Sequence, residues 1–209
     1  MRILIVGATG VTGQQLVKQA LAQDHEVTAL ARNPDTVKTK HARLKIVGGD
    51  VLNANSLEVA TVNQQAVVSA IGTKLSPKPT TLLSEGTKNL IQAMEKHQVR
   101  RFVCITGIGA GDSKGHGGFL YDKIILPFLL KNVYKDKDRQ EVEISKSNLD
   151  WIIVRPAQLT NGPVEGKYRV LTDLTGVTVG KISRADVAGF VLEQLSSDRY
   201  VRKTPLIAY

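Results

Sequence analysis

Three glycines at three-residue intervals, Gly7, Gly10 and Gly13, follow directly on the apolar run at residues 2–6. The residues after them carry the three- to four-residue apolar spacing of a helix. A strand, a tight glycine turn and a helix bring free backbone N–H groups and the positive end of the helix dipole to one point, where they can bind a pyrophosphate. Gly7 would permit the turn, Gly10 a close approach of the backbone to the ligand, and Gly13 the packing of helix on strand. The loop assigned to a dinucleotide is therefore Gly7, Thr9, Gly10, Val11, Thr12 and Gly13.

The end of the second apolar run, residues 26–31, decides which dinucleotide is expected. An acidic side chain there would bond both ribose hydroxyls of NAD, whereas a basic one would accommodate the 2′-phosphate of NADP. Arg32 follows this run, and its guanidinium is a permanently charged, forked donor for a phosphate. Glu26 begins the run and so belongs to the opposite end of the strand. NADP(H) is therefore predicted in preference to NAD(H), and the alternative is that Arg32 is a surface arginine that caps the strand.

Two further segments are expected to complete the cofactor site. Asp50 and Val51 follow the third apolar run, where Asp50 would accept a hydrogen bond from the adenine amino group and Val51 would contact the ring. The segment after the fourth run would bring its backbone close to the ribose and the diphosphate, and its residues are Ile71, Gly72 and Thr73. All these residues follow strand-like runs, and open α/β folds bind their ligands at the carboxyl ends of the strands.

Strand-length apolar runs alternate with helical patterns from one end of the chain to the other. The runs are continuously apolar, which is typical of buried parallel strands. They cover residues 2–6, 26–31, 44–49, 66–72, 101–106, 151–156 and 204–208. The helical patterns cover residues 12–23, 56–63, 82–97, 136–147 and 183–197. This alternation predicts an α/β fold in which residues 1–209 form a single Rossmann-type doubly wound domain, with a mainly parallel sheet flanked by helices.

Composition limits the classes of partner. The formal net charge of +9 suits an anionic partner, but the basic clusters are dispersed and lack interleaved aromatics, so nucleic acid is not expected. No apolar stretch approaches the roughly 20 residues that span a bilayer, so a membrane is not expected and a cytoplasmic location is. The single cysteine, Cys104, lies in a strand-like run and is interpreted as a buried core thiol. The histidines show no metal-ligand spacing, and no metal is predicted.

Five motifs together resemble one family: VGATGVTG at residues 6–13, ARNPD at 31–35, GGDV at 48–51, AIGT at 70–73 and VRPAQL at 154–159. The chain is similar to the atypical short-chain dehydrogenases/reductases of the NmrA-like, NAD(P)H-binding group, above all to their biliverdin-IXβ reductase and flavin reductase branch. The resemblance covers nearly the whole chain and implies a Rossmann fold that binds NADP(H) across the carboxyl ends of the strands. Tyrosine-dependent members carry a Tyr-x-x-x-Lys pair, which this sequence lacks. A proton relay through a lysine-activated tyrosine is therefore not expected.

The resemblance also locates a candidate active site. Thr106 ends the fifth apolar run, where the reductase branch carries a serine, and its hydroxyl would bond the nicotinamide carboxamide or the substrate. Lys137 and Gln158 stand where that branch has histidines. Lys137 would anchor the ribose and nicotinamide, while Pro156 and Gln158 would line the nicotinamide pocket. Thr106 and Lys137 are therefore the candidate catalytic residues.

Purely structural roles are alternative interpretations of the same segment. Thr106 would then be a strand-end threonine bonded to backbone. Lys137 would form a helix-surface ion pair with Glu141, four residues later. Arg155, at the end of the sixth run, would belong to a structural ion pair.

Two segments that follow Thr106 have unusual composition. Half of residues 107–118 are glycine, which predicts a mobile lid over the substrate. Within it, His116 is either a proton donor or a solvent-exposed loop histidine. Residues 119–134 carry many apolar side chains around Pro127 and are interpreted as a pocket wall, a surface for a partner protein or a core helix bent by its proline.

The first functional hypothesis is an NADPH-dependent reductase that transfers hydride to a planar acceptor of the flavin, quinone or bilin type. Such conjugated acceptors take hydride directly, so the missing tyrosine pair does not exclude activity. The second is a non-catalytic NADP(H)-binding sensor or assembly factor that engages a protein through residues 119–134. A nucleotide-sugar or isoprenoid-type enzyme is a weaker third hypothesis, because the tyrosine and a longer C-terminal substrate domain are missing.

Overall fold

An eight-stranded sheet forms the centre of the computed structural model, which describes residues 1–73 and 78–209. The strands are β1 Arg2–Val6, β2 Glu26–Ala31, β3 Leu44–Gly48, β4 Ala66–Ser69, β5 Arg101–Ile105, β6 Asp150–Pro156, β7 Gln158–Thr160, β8 Arg169–Leu171, β9 Lys181–Ser183 and β10 Leu206–Ala208. The helices are α1 Val11–Ala22, α2 Ala54–Thr61, α3 Leu82–Lys96, a π-helix at Tyr121–Leu130, α4 Lys131–Lys146 and α5 Arg184–Glu193.

The strand order reverses direction beside the glycine loop. Along the sheet the order is β3-β2-β1-β4-β5-β6-β10-β8, and every pair is parallel except β10 with β8. From β1 the chain moves outward through β2 and β3 and then returns to β4 on the other side of β1. Open α/β sheets bind their ligands beside such a reversal, so a ligand is expected at the carboxyl ends of β1 and β4.

Helices cover both faces of the sheet, as the strands require. Ile3 and Ile5 of β1 are fully buried in an apolar cluster shared with α1 and α5. Leu4 and Val6 belong to the opposite cluster, which draws on α2, α3 and α4. Because successive side chains of a strand point to opposite faces, a continuously apolar strand can bury both faces in this way.

The predicted fold class is confirmed, with corrections at particular elements. The fourth strand ends at Ser69, so residues 70–72 lie outside it as a connection at the carboxyl end of the sheet. The fourth α-helix begins at Lys131, five residues before the predicted start, because it continues directly from the π-helix. The short strands β7, β8 and β9 are absent from the sequence prediction: β7 and β9 pair only with each other, and β8 forms the antiparallel edge of the main sheet. Three-residue strands are too short for a periodic signal.

Candidate cofactor and substrate site

Two glycines of the loop are required by the fold itself. Gly7 has φ +85°, and a Cβ added to it would lie 2.4 Å from the carbonyl oxygen of Ala70. A Cβ on Gly13 would lie 2.1 Å from the carbonyl oxygen of Gly7. A side chain on Gly7 would push the end of β1 away from the end of β4, and a side chain on Gly13 would push α1 away from β1. Gly7 therefore makes the turn and Gly13 the close contact of helix with strand.

Gly10 has no comparable structural reason to be glycine. It is the N-cap of α1 with φ −71°, and a Cβ there would contact only the Gly7 oxygen, at 3.3 Å. No side chain of the described residues caps this helix, and its first turn holds no acidic residue. The N–H groups of residues 11–13 have no acceptor within the helix and lie at the positive end of its dipole. The start of α1 at Gly10 therefore has free donors of the kind that a pyrophosphate would need, and Thr9 and Val11 are exposed beside it, with Thr12 partly buried.

The adenine end of this site would lie over β2 and β3. Arg32 follows β2 directly, is exposed, and forms no hydrogen bond or ion pair with any described residue. Asp50 follows β3 and its Oδ1 accepts the backbone N–H of Leu52 at 2.9 Å, which leaves the second carboxylate oxygen available. Val51 is partly buried against Gly86 of α3, where an added Cβ would lie 2.7 Å from a Val51 methyl. The structure thus brings Arg32, Asp50 and Val51 to the carboxyl end of the sheet, where the glycine loop also lies.

The segment after β4 lies beside the same loop. The backbone N–H of Ala70 donates to the carbonyl oxygen of Val6 at 2.8 Å, which keeps this segment next to the end of β1. Ile71 and Thr73 are partly buried, and Gly72 is exposed with nothing within 4 Å of an added Cβ. The position suits a backbone that passes along a bound ribose and diphosphate.

A buried ion pair lies behind Thr106 at the end of β5. The Thr106 hydroxyl donates to Oε1 of Glu141 at 2.7 Å, and Arg155 donates to both oxygens of that carboxylate at 3.1 and 2.6 Å. Thr106, Glu141 and Arg155 are each less than a tenth exposed. The Thr106 hydroxyl proton is therefore directed to Glu141, and its lone pairs remain able to accept. Arg155 thus forms a structural ion pair, as expected from the sequence.

Lys137 extends from α4 to the same strand end. Its Nζ donates to the backbone oxygen of Thr106 at 2.5 Å and lies 4.7 Å from the centre of the Tyr134 ring. Burial lowers the pKa of Lys137 to about 8, against the opposing effects of Cys104 and Glu141. The surface ion pair of Lys137 with Glu141 is a wrong alternative, because Glu141 is buried and bonded to Arg155.

Two tyrosines lie next to Lys137 without forming an activated pair. The hydroxyls of Tyr121 and Tyr134 are 2.7 Å apart, and the Tyr121 hydroxyl donates to the backbone oxygen of Ile108 at 3.0 Å. Burial raises the pKa of both hydroxyls. Both therefore stay protonated at neutral pH.

A cleft of about 260 Å³ opens at the carboxyl ends of β5 and β6. Pro156, which ends β6, is buried and its backbone oxygen accepts the N–H of Ile108 at 2.9 Å. Gln158, two residues later, is exposed at the cleft. The residues that line the cleft are Ile108, Gly117, Gly118, Phe119, Leu120, Tyr121, Ile125, Gln158, Val179 and Gly180. Of the residues predicted for the nicotinamide end, Gln158 lines this cleft, whereas Thr106, Lys137 and Pro156 do not.

The glycine-rich segment 107–118 is tied to the body of the protein. Its Asp112 carboxylate pairs with Arg155, and the backbone N–H of Gly111 donates to Asp138 of α4 at 2.9 Å. Lys114 contacts the same Asp138 at 2.6 Å. His116 is partly buried, with Nδ1 2.7 Å from the backbone oxygen of Val177, so it is not the solvent-exposed loop histidine of the second interpretation.

Residues 119–134 form a wall of the cleft and an exposed apolar surface. Phe119 and Phe128 are 78% and 80% exposed, and Leu120, Ile124 and Leu129 are also exposed. The interpretation of this segment as a core helix is therefore wrong, although Pro127 does lie within the π-helix. We call its five exposed side chains the apolar face.

The remaining sequence expectations concern single features. Cys104 is fully buried, and burial raises the pKa of its thiol to about 12, which confirms a core thiol. Within residues 1–73 and 78–209, no cluster of three or more His, Cys, Asp or Glu side chains is placed to hold a metal ion. The helices of the described chain are too short or too polar to cross a membrane.

Comparison with known proteins identifies the family. The model of an NAD(P)H-binding family matches residues 7–198. The chain belongs to this NAD(P)H-binding family. The match and the fold agree with the resemblance to the atypical short-chain dehydrogenases/reductases, so a cofactor is expected at the carboxyl ends of the strands.

Individual relatives differ in what their names say they do. The chain is 30% identical to the photosystem II assembly factor Ycf39 of Synechocystis, over 98% of this chain and 61% of that protein. The crystal structure of the oxidoreductase ylbE from Lactococcus lactis superposes with a TM-score of 0.84 at 26% identity, over 100% and 90% of the two chains. ChuY, an anaerobilin reductase from Escherichia coli, superposes with a TM-score of 0.85 over 100% and 97%, and at 22% identity this shows the shared fold.

Sequence reasoning missed several residues that shape the site. Glu141 is named only as a surface partner, yet it joins Thr106 to Arg155 across 35 and 14 residues of chain. Tyr121 and Ile108 reach the cleft through the path of the segment after β5. No spacing rule links such positions. The one available signal was Arg155 itself, because a charged residue in a buried strand requires a buried partner of opposite charge.

Proposed function

We propose that the protein is an NADPH-dependent reductase that transfers hydride to a conjugated ring acceptor. One observation carries the proposal. The carboxyl end of the sheet holds both the glycine loop after β1, which leads into the uncapped helix α1, and a cleft after β5 and β6. Three strand spacings of about 4.8 Å separate β1 from β6, a distance that a dinucleotide bound across the strand ends spans. The likeness to an oxidoreductase at 26% identity supports this.

Each end of the site has residues suited to one part of the cofactor. The glycine loop would hold the pyrophosphate, Arg32 the 2′-phosphate, and Asp50 with Val51 the adenine. Ile71, Gly72 and Thr73 would follow the ribose and diphosphate. When bound, the reduced nicotinamide supplies the hydride. Lys137 and the backbone at Pro156 would orient it toward the cleft, with Thr106 as acceptor for its carboxamide.

The missing Tyr-x-x-x-Lys pair is compatible with reductase activity if the acceptor is conjugated. The hydroxyls of Tyr121 and Tyr134 both remain protonated, and neither has the lowered pKa that alcohol and ketone chemistry requires of a general acid or base. A conjugated acceptor spreads the negative charge that it gains, so protons can come from solvent after the transfer. This favours flavin-, quinone- or bilin-type acceptors over simple carbonyl compounds.

Arg32→Ala should weaken NADPH binding by about 10- to 100-fold, because a charge-assisted hydrogen bond to the 2′-phosphate is lost. NADH affinity should change little. Both dissociation constants would be measured by titration of reduced-nicotinamide fluorescence. Arg43→Ala is the matched control, because it removes the same charge from an exposed site at the amino end of β3, whereas Arg32 lies at the carboxyl end of β2. Equal weakening of NADPH and NADH would remove the 2′-phosphate assignment.

Lys137→Met should reduce NADPH affinity about tenfold at pH 7, because the variant lacks the charged donor beside Thr106. In the natural protein the affinity should fall as the pH rises through about 8, where Lys137 loses its proton. The variant should lack this fall. Cys104 and Tyr134, which face Lys137, titrate well above that range, so the step reports the lysine.

The control for that titration is Lys135→Met, an exposed lysine on the same helix. It should keep the pH profile of the natural protein. Identical profiles for Lys137→Met and the natural protein would show that Lys137 serves only to bond the Thr106 backbone.

Turnover tests the proposed reductase directly. Purified protein would be mixed with NADPH and, separately, FMN, FAD, a quinone, biliverdin and an aldehyde, and absorbance of the reduced nicotinamide followed. Oxidation that depends on one ring acceptor and is reduced in Arg32→Ala supports the proposal. NADPH binding without turnover of any acceptor would refute it.

The exposed apolar face favours one second candidate function, an NADP(H)-binding assembly factor or sensor. Five large apolar side chains on one segment form a surface of the kind that marks protein contacts. The 30% identity to an assembly factor is consistent with this function. Its signature would be tight NADPH binding, no turnover, and binding of a partner protein that Phe128→Ser abolishes.

A further inference from the structure

The lining of the cleft after β5 and β6 is apolar and uncharged. None of the ten described residues that line it carries a charged side chain. Five are Ile, Leu, Phe or Val, and three are glycine. Phosphate or carboxylate groups of a substrate are normally met by charged or forked donors, which this lining lacks. The walls therefore suit an uncharged ligand.

The two polar side chains of the lining differ in what they can still bond. The Tyr121 hydroxyl is already in contact with Ile108 and Tyr134. The Gln158 carboxamide forms no hydrogen bond with any described residue and is exposed at the cleft. Its NH₂ group can donate to a carbonyl oxygen. The cleft thus combines apolar walls with one free donor, the pattern of a site that orients an apolar ligand through a single polar group.

The size of the cleft limits the ligand further. Its volume of about 260 Å³ lies just below the range of roughly 300–1,000 Å³ that holds drug-sized ligands. One or two fused rings fit within it, whereas an extended tetrapyrrole would leave most of its length outside. The mouth is apolar as well, because Phe119 and Leu120 are both lining residues and exposed side chains of the apolar face.

We infer that the cleft binds an uncharged one- or two-ring acceptor of the quinone class, oriented by the Gln158 carboxamide. This rests on the proposed reductase function. The acceptor would take a hydride from NADPH and a proton from solvent, which converts its two carbonyl groups to hydroxyls and leaves NADP⁺. The electrons and protons balance without a further co-reactant. FMN, which carries a phosphate, and biliverdin, which carries carboxylates, would be poorer acceptors.

The test uses 1,4-naphthoquinone as the probe and the protein saturated with NADP⁺, so that binding is measured by calorimetry without turnover. Leu120→Glu places a carboxylate at the cleft and should weaken naphthoquinone binding about tenfold or more. Leu129→Glu is the matched control: Leu120 and Leu129 are 62% and 60% exposed on the same segment, but Leu129 does not line the cleft. Its affinity should equal that of the natural protein.

Turnover with NADPH is then compared for naphthoquinone, FMN and biliverdin, after subtraction of the rate without protein. Fastest reduction of naphthoquinone, together with the Leu120-specific loss of binding, supports the inference. Turnover of FMN or biliverdin with no binding of naphthoquinone would overturn it and leave the reductase function standing. Leu120-dependent binding without reduction of any acceptor would overturn the reductase function and retain the cleft as a quinone site.

Discussion

Arg155→Met should lower the free energy of unfolding by about 3–5 kcal/mol, because it leaves the Glu141 carboxylate buried without its cation. The guanidinium is 4% exposed and donates to both carboxylate oxygens, so water cannot replace it without opening the packing between β6 and α4. The loss would be measured by urea unfolding monitored by circular dichroism. It is a large fraction of the roughly 5–15 kcal/mol that stabilises an ordinary domain.

The double variant Arg155→Met/Glu141→Leu distinguishes a broken pair from lost packing. If the cost arises from an uncompensated charge, the double variant should be more stable than Arg155→Met alone, since apolar residues can replace a buried ion pair. Asp112→Ala removes only the exposed partner of Arg155 and should cost no more than about 1 kcal/mol. A double variant less stable than either single one would show that the guanidinium acts mainly through its packing.

This ion pair connects stability with the site. Thr106 shares the Glu141 carboxylate with Arg155, and Arg155 also pairs with Asp112 in the glycine-rich segment. A variant that frees Glu141 therefore also disturbs the strand end where the nicotinamide is expected and the segment that borders the cleft. Under the proposed reductase function Arg155 would therefore act as a positioning residue, and its loss should raise the KM for the acceptor at temperatures where the variant is still folded.

Sequence reasoning locates the parts of the site that are formed by residues adjacent in the chain. The glycine loop is recognisable because an apolar strand, a glycine turn and an amphipathic helix follow one another between residues 2 and 22, and each has its own pattern in the sequence. Arg32 is found because it follows a strand whose end can be read from its apolar run. The parallel topology then places these residues together at the carboxyl end of the sheet.

The parts that escape prediction depend on contacts between distant segments. Glu141 reads as a surface residue because its helix carries charges on most positions, and only the packing of α4 on β5 and β6 buries it. The π-helix is another such case: its apolar composition matches a core helix equally well, and what differs is that no element covers Phe128 or Leu129 among the described residues. Burial is a property of the assembled layers, which composition alone does not determine.

Gly10→Val should reduce NADPH affinity at least about a hundredfold, because a branched side chain at the N-cap of α1 would fill the space from which the first-turn N–H groups reach the pyrophosphate. Loss of two charge-assisted hydrogen bonds costs about 3 kcal/mol or more, which corresponds to that factor. The fold should persist, since φ −71° and ψ 160° lie in the extended region that valine favours, and the nearest atom to the new Cβ, the Gly7 oxygen, is 3.3 Å away.

Two comparisons make the Gly10→Val result specific to the ligand. Gly162→Val is the control for the same substitution at a position away from the loop, where a Cβ has its nearest neighbour at 3.6 Å, and it should leave NADPH affinity unchanged. Gly13→Val should instead unfold the protein or lower its melting temperature strongly, because its Cβ would lie 2.1 Å from the Gly7 oxygen. Fluorescence titration and thermal unfolding of the three variants separate binding from folding. If Gly10→Val retained full affinity, the start of α1 would serve the packing of the loop alone, and the cofactor would have to bind elsewhere along the strand ends.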